Sequence, residues 1–342
     1  MKAMVLAAGL GTRLRPLTDT RPKALVEVAG RTLLEITLTR LHSFGVNDVI
    51  VNVHHFADMV IAYLKSHNNF GMRIEISRED DLLLDTGGGL KKASWFFLED
   101  SFGTSASQPT ANKTSGAIPS RPLRVAASRG FRAMNPAKAP THPKSDQMSD
   151  ALSDFGEPFL LHNVDVITNI DFRRMLQFHN EHRALATLAV QSRASSRLLL
   201  FNENLQLVGR AAPGAKATEQ NVIPSVPNPG SLSTEPTSAP TQATPLPALL
   251  HPELSRNASR SPRASRGPSP LALAFSGIHF LSPRLLPMLT EEGPFSIIDV
   301  YLRLAAEGEK ILAFAANQYY WRDLGRPADL SHAARDVEQG ML

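Results

Sequence analysis

Residues 4–30 read MVLAAGLGTRLRPLTDTRPKALVEVAG, an apolar β-type run that stops at a pair of glycines. A strand followed by Gly9-Leu10-Gly11-Thr12-Arg13-Leu14 lets backbone N–H groups approach an anion closely. Several phosphate chemistries use such a turn, and the residues after it separate them. The dinucleotide fingerprint needs glycine where Leu14 stands. The Walker pattern needs Lys-Ser/Thr directly after its last glycine, where Thr12-Arg13 stand. Hydride transfer and P-loop chemistry are thereby disfavoured. What the stretch does offer is a backbone cradle, a planar fork at Arg13 for phosphate oxygens, and a second cation at Lys23, fixed behind Pro22.

With 342 residues and 42% hydrophobic content, the chain can form one large or two ordinary domains around a sizeable core. It has no cysteine, which excludes disulfides, thiolate metal sites and a cysteine nucleophile. The opening apolar segment is short, and no apolar run nears the roughly 18 residues of a membrane span. The expectation is a cytoplasmic protein with no membrane partner. The formal charge of +4 belongs to two segments: residues 103–150 carry a net +5 and residues 210–270 a net +3, which leaves the rest at −4. The basic balance is therefore no argument for a nucleic-acid partner.

The same two segments hold 18 of the 25 prolines. Rich in Pro, Ser, Ala and Thr and without apolar periodicity, they are expected to be disordered insertions in surface loops of a single domain spanning 1–342. The remaining blocks, 1–102, 151–209 and 271–342, alternate strand and helix patterns. AMVLAAG, DVIVNVH, MRIEIS, PFLLHNVDV and ALATLAVQ read as strands; TLLEITLTRLHSFG, FADMVIAYLKSH and DFRRMLQFHNEH read as helices. Such alternation predicts an α/β fold: a mainly parallel mixed sheet in a three-layer, Rossmann-like arrangement, with ligands at the carboxyl ends of the strands. His54-His55 and His162 read as structural, since neighbouring strand residues face opposite ways and no third metal ligand is indicated.

The string LAAGLGTRLRPLTDTRPKALVEVAGRTLLE resembles the signature of the sugar-1-phosphate nucleotidylyltransferases: G-x-G-T-R-L/M-x-P-L-T, a P-K pair, then a V-x-G stretch leading into a helix. The likeness continues through all three blocks. LLLDTGGGLKKA resembles the second nucleotide loop, FLLHNVDV the N-G-D strand, LAFSGIHFLSPRLL the sugar-site strand and YYWRDLGRPADL the late W-x-D-x-G motif. The TGGG loop is most like that of single-domain uridylyltransferases acting on N-acetylmuramate 1-phosphate. The resemblance implies the nucleotidyltransferase fold, and transfer of a nucleotidyl group from an NTP, UTP first, to a sugar 1-phosphate, as in the making of nucleotide sugars and cell-wall precursors. It implies Arg13 and Lys23 as catalytic cations. Leu6, Ala7, Ala8, Gly9, Gly11, Thr12, Thr86, Gly87, Gly88 and Gly89 would bind the nucleotide, Asn163, Ser276 and Gly277 the sugar, and Asp165 and Asp323 Mg²⁺. A monomer or small homo-oligomer is expected.

This chemistry suits those residue types. A sugar phosphate is already an ionised nucleophile, so positioning and cationic stabilisation matter more than a Ser-His-Asp device. The chain also departs from the family pattern: Val164 replaces the glycine of N-G-D, Arg326 stands where threonine is common, and no E-K-P lysine is present. Arg193 and Arg197 are the cations available for the sugar phosphate. Other acceptors and bases (mannose, glucose or heptose 1-phosphate with GTP, dTTP or ATP; phosphocholine with CTP) stay open, as does an inactive nucleotide-sugar-binding regulator. A glycosyltransferase would show D-x-D, which VDVIT lacks.

Overall fold

Successive side chains of a strand face opposite ways, and Lys2–Leu6 (β1) uses this to serve two cores: Ala3 and Val5 enter one, Met4 the other. In the computed structural model, which describes residues 1–98, 156–211 and 269–341, these two cores lie on the two faces of a nine-stranded sheet. After β1 come the short pair Glu27–Val28 (β2) and Arg31–Thr32 (β3), then Asp48–Val53 (β4), Arg73–Arg78 (β5), Phe159–Asn163 (β6) and Val166–Thr168 (β7). Ala186–Gln191 (β8), Leu198–Phe201 (β9), Leu207–Arg210 (β10), Leu271–Leu281 (β11), Ile311–Ala315 (β12) and Trp321–Asp323 (β13) complete the set.

The sheet runs β10-β9-β11-β6-β1-β4-β5, with β8 joining β11 to β12. It is mixed, as expected. The strands β6-β1-β4-β5 are parallel, and so is β8 with β12, whereas β11 runs antiparallel to β6, β8 and β9. The β11–β8 register shifts between Phe275 and His279, a bulge that contains Ser276 and Gly277. A separate ribbon pairs β13 with β7 and sets Asp323 opposite Val166.

Helices cover both faces. Leu33–Ser43 is capped by the Thr32 hydroxyl, which accepts from Glu35 N, and buries Leu33, Leu34, Leu38 and Leu41 in the β1 Ala3/Val5 core. Phe172–His182 is capped by the Asp171 carboxylate. On the opposite face, Ile297–Ala306 buries Ile297, Val300, Tyr301 and Leu304.

Two expectations need correction or bounding. Thr86–Gly89, expected as a loop, lies within the helix Asp85–Ala93. Three glycines persist there because the helix is crowded: a methyl group on Gly87 would stand 2.4 Å from the Phe295 ring, one on Gly88 2.7 Å from the Gly293 carbonyl, and one on Gly89 2.8 Å from Glu79 Oε1. The expected insertions 103–150 and 210–270 fall outside the described residues except at 210–211 and 269–270. Arg210 is the last residue of β10, in register with Leu199 and paired to Asp299, so it belongs to the sheet. Among the described residues, no helix is long and apolar enough to cross a membrane.

Candidate functional site

Leu6, the last residue of β1, lies in register with Asn52 on β4 and with Asn163 on β6. This row stands at the carboxyl ends of the parallel strands, where such sheets open to ligands. A cleft of about 340 Å³ is lined there by Leu6, Ala8, Gly9, Lys23, Asn52, Glu79, Leu83, Asp85, Thr86, Asn163, Val164 and Asp165. At its back Asn52 and Glu79 are 2% and 1% exposed. The amide of Ala7 donates to Asn52 Oδ1 at 2.7 Å, Asn52 Nδ2 donates to Glu79 Oε1 at 2.7 Å, and the amide of Leu84 donates to Glu79 Oε2 at 2.9 Å. One buried carboxylate thus ties the start of the glycine loop to the entry of the TGGG helix. Asn52 and Glu79 are absent from the residues expected from sequence. The available signal was a lone asparagine inside the apolar run VIVNV.

The glycine loop leaves β1 through Ala7, Ala8 and Gly9. Gly11 takes a left-handed conformation (φ 64°) that starts a single 3₁₀ turn, Thr12–Leu14, and its carbonyl accepts from the Thr18 hydroxyl at 2.9 Å. Thr12 and Arg13 are exposed and Leu14 is buried. Arg13 reaches the far side of the site: a methyl group on Gly325 would stand 2.5 Å from Arg13 Nη2 and 2.7 Å from Asp323 Oδ1. Lys23 is buried and its Nζ pairs with Asp165 Oδ2.

Asp165 and Asp323 converge although they come from different halves of the chain. The β13–β7 ribbon places them at one end, and the amide of Leu324 donates to the Asp165 carbonyl at 2.8 Å. Asp323 Oδ1 is buried and has no hydrogen-bond partner. Its carboxyl is held above the usual carboxylate range, first by burial and then by the charge of Asp165, with Lys23 and Arg13 opposing. An orphaned buried carboxylate oxygen beside a second carboxylate fits Mg²⁺, a hard cation that takes one or two carboxylates and completes its shell with phosphate oxygens and water. Among the described residues no three His, Cys, Asp or Glu side chains gather to hold a metal by themselves, so phosphate oxygens would be needed.

The remaining expected residues divide. Thr86 lines the cleft, with its hydroxyl accepting from the Ile297 amide at 3.0 Å. Gly87 and Gly88 follow it in the same helix, their amides donating to the Phe295 carbonyl. Of the residues expected to bind the sugar, Gly277 lies against Asn163, where a methyl group would stand 2.9 Å from Nδ2. Ser276 is fully buried. Arg193 is half-buried over the Trp321 ring, whereas Arg197 and Arg326 are exposed. His162 is buried, its Nδ1 against the Asn163 carbonyl, and burial pushes its pKa down to about 4; His54 Nδ1 lies against the Glu79 carbonyl.

Residues 2–107 match the Nucleotidyl transferase family. Over 93 residues the chain is 57% identical to an N-acetylmuramate alpha-1-phosphate uridylyltransferase of Caulobacter vibrioides, a match covering 27% of this chain and 38% of that one. Over 101 residues it is 43% identical to a mannose-1-phosphate guanyltransferase of Aspergillus fumigatus, covering 29% of this chain and 28% of that one. The chain thus aligns with well under half the length of these relatives. Its fold is similar to that of a UDP-glucose pyrophosphorylase solved with UDP-glucose, at a TM-score of 0.56 and 13% identity over 99% of this chain and 98% of that one. HddC from Yersinia pseudotuberculosis is alike to the same degree, with a TM-score of 0.56 and 15% identity over 98% and 99%. The match over residues 2–107 and the fold shared with these solved structures are thus what the chain has in common with the nucleotidyl transferases.

Proposed function

We propose that the protein transfers a nucleotidyl group from an NTP to a sugar 1-phosphate and releases pyrophosphate. The observation that carries this reading is the convergence of Lys23, Asp165, Asp323 and Arg13 at the rim of the cleft, two cations and two carboxylates from four separate segments. UTP is the first base to try, because the relative at 57% identity is a uridylyltransferase; the same relative makes N-acetylmuramate 1-phosphate the first acceptor.

In the proposed step an oxygen of the sugar phosphate bonds to the α-phosphorus of the NTP, and the bond from that phosphorus to the bridging oxygen of the β-phosphate breaks. The electron pair leaves with pyrophosphate. No proton need be removed from the nucleophile, and the cost lies in bringing two anions together. Backbone groups of Gly9–Thr12 approach the triphosphate, Arg13 holds its outer phosphates, and Lys23 lies between the α-phosphate and the incoming acceptor. Asn52 and Glu79 keep the two nucleotide-binding segments in register. Asp165 and Asp323 would hold Mg²⁺, which supplies charge neutralisation on the phosphates when bound. The proposal includes work in the cytoplasm as a monomer or small homo-oligomer.

The test is pyrophosphate release from a panel of NTPs and sugar 1-phosphates, with Lys23→Ala beside the wild type. Release that depends on both substrates and falls about a hundredfold or more in Lys23→Ala is expected. Absence of release with every pair would sink the reading.

A further inference from the structure

Asp323 stands on a short support. The β13–β7 ribbon that carries it is three residue pairs long and separate from the nine-stranded sheet, and a two-stranded ribbon of that size does not hold its place unaided. It is tied from two directions. On the β7 side the Thr168 hydroxyl donates to the Tyr320 carbonyl at 2.6 Å, and the Tyr320 amide donates to Asn169 Oδ1 at 2.7 Å. From the helix Pro327–Glu338 comes a single carboxylate oxygen, Asp336 Oδ2, which accepts from the Tyr320 hydroxyl at 2.7 Å, from Arg322 Nε at 3.0 Å and from Arg322 Nη2 at 2.7 Å. Arg322 immediately precedes Asp323, and successive strand residues face opposite ways, so this tether grips the face of the ribbon away from the Asp323 side chain.

The same helix reaches the segment that delivers Lys23. Leu330 and Ala333 are buried in the core that also holds Val26 and Val28, and the helix packs on β2. The Val26 amide donates to the Lys23 carbonyl at 3.0 Å, so β2 begins where the Lys23 turn ends. One helix thus spans the two pieces of backbone that bring Lys23 and Asp323 to the rim, and Asp336 is its charged link to the second. A planar guanidinium held at two nitrogens is fixed in direction as well as in distance. We propose that Asp336 is a positioning residue: through Arg322 and Tyr320 it sets Asp323 against Asp165 and Lys23, and thereby sets the affinity of the two carboxylates for a divalent cation. The inference rests on the transferase reading and adds to it a residue that lies outside the cleft lining.

Mn²⁺ is the probe, because binding removes the electron paramagnetic resonance signal of the free ion. The full chain is titrated with Mn²⁺ beside a non-hydrolysable UTP analogue, against the same analogue without protein. Half-saturating Mn²⁺ is expected to rise about tenfold or more in Asp336→Ala, and less in Asp336→Asn, whose amide oxygen still accepts from Arg322 and Tyr320. Arg303→Ala cuts a comparable pair on the opposite face of the sheet, Arg303 Nε to Glu291 Oε1 at 2.8 Å, and should leave the Mn²⁺ curve within about twofold. In the pyrophosphate assay Asp336→Ala should raise half-saturating Mg²⁺ in the same way and leave the NTP KM at saturating Mg²⁺ within about twofold. Should Asp336→Ala fail to fold, Arg322→Lys, which keeps the charge and loses the fork, must shift the Mn²⁺ curve in the same direction. An unmoved Mn²⁺ curve in the folded variant, even with a lower urea midpoint, overturns the inference, as does an equal shift in Arg303→Ala or a wild type that binds no Mn²⁺. If the Mn²⁺ shift holds but no pair releases pyrophosphate, Asp336 positions a cation site and the transferase reading is what fails.

Discussion

Asp165 and Asp323 are held side by side by their own backbone: the amide that follows Asp323 donates to the carbonyl of Asp165 at 2.8 Å, where the β13–β7 ribbon ends. Their side chains are not equivalent. Asp165 is paired with Lys23, while Asp323 buries an oxygen with no partner.

Asp323→Asn should cost far more activity than stability. Removing the negative charge of this half-buried carboxylate, one oxygen of which lacks a hydrogen-bond partner and whose neighbour is another carboxylate, is expected to change the stability of the apo protein by no more than about 1 kcal/mol, while cation-dependent turnover falls about a hundredfold or more. Urea unfolding without metal, and pyrophosphate release against Mg²⁺ concentration, read the two effects.

Glu79→Gln should loosen the side of the cleft proposed to hold the nucleotide. Both Glu79 oxygens accept hydrogen bonds, from Asn52 Nδ2 and the Leu84 amide, and a glutamine amide can accept only at its oxygen. One buried donor is left facing an NH₂ group, with an expected loss of about 1–3 kcal/mol in stability. The NTP KM should rise while the acceptor KM holds, as measured by steady-state kinetics on each substrate.

Glycines of the two segments proposed to bind the nucleotide should respond in different ways. Gly87→Ala puts a methyl group 2.4 Å from the Phe295 ring and is expected to lower stability by about 1–3 kcal/mol. At Gly9 an added Cβ meets nothing within 4 Å, so Gly9→Ala should fold normally and show its effect in NTP affinity. Thermal melts with and without NTP distinguish the two.

Acid should destabilise the fold through its buried histidines. Burial pushes the pKa of His179 down to about 4 and that of His279 to about 3, from 6.5. Between those values and 6.5 the unfolded chain binds protons that the folded chain refuses. Stability is thus full above pH 6.5 and is lost as pH falls toward 4, by up to about 1.4 kcal/mol per pH unit for each such histidine. His179 shares a 2.9 Å hydrogen bond with the Thr187 hydroxyl, and His179→Gln should flatten the slope. Urea midpoints measured across this pH range provide the check.

Much of the fold was legible because periodicity is local. The leucines of 33–41 announce a buried helical face, and the run from Val49 to Val53 announces a buried strand. What escaped depends on distant neighbours. TGGG looks like a loop because glycine disfavours helices; within its helix glycine is required because Phe295 and Gly293, from far along the chain, leave no room for side chains at Gly87 and Gly88. Asn52 is visibly a polar residue in an apolar strand, but its partner Glu79 becomes apparent only when β4 and β5 pair. Likewise, the resemblance suggested that Asp165 and Asp323 belong together, while the register of β13 with β7 supplies the physical means.

The row that runs Asn52, Leu6, Asn163 and on to Gly277 crosses four neighbouring strands. Adjacent strands are set about 4.8 Å apart by their hydrogen bonds, so the row measures about 14 Å from end to end. For the proposed reaction this makes the sheet a ruler. The gap between the nucleoside end and the acceptor end is fixed by backbone pairing that no side-chain change can stretch, so substitutions along the rim can change what is held at either end without moving the ends apart.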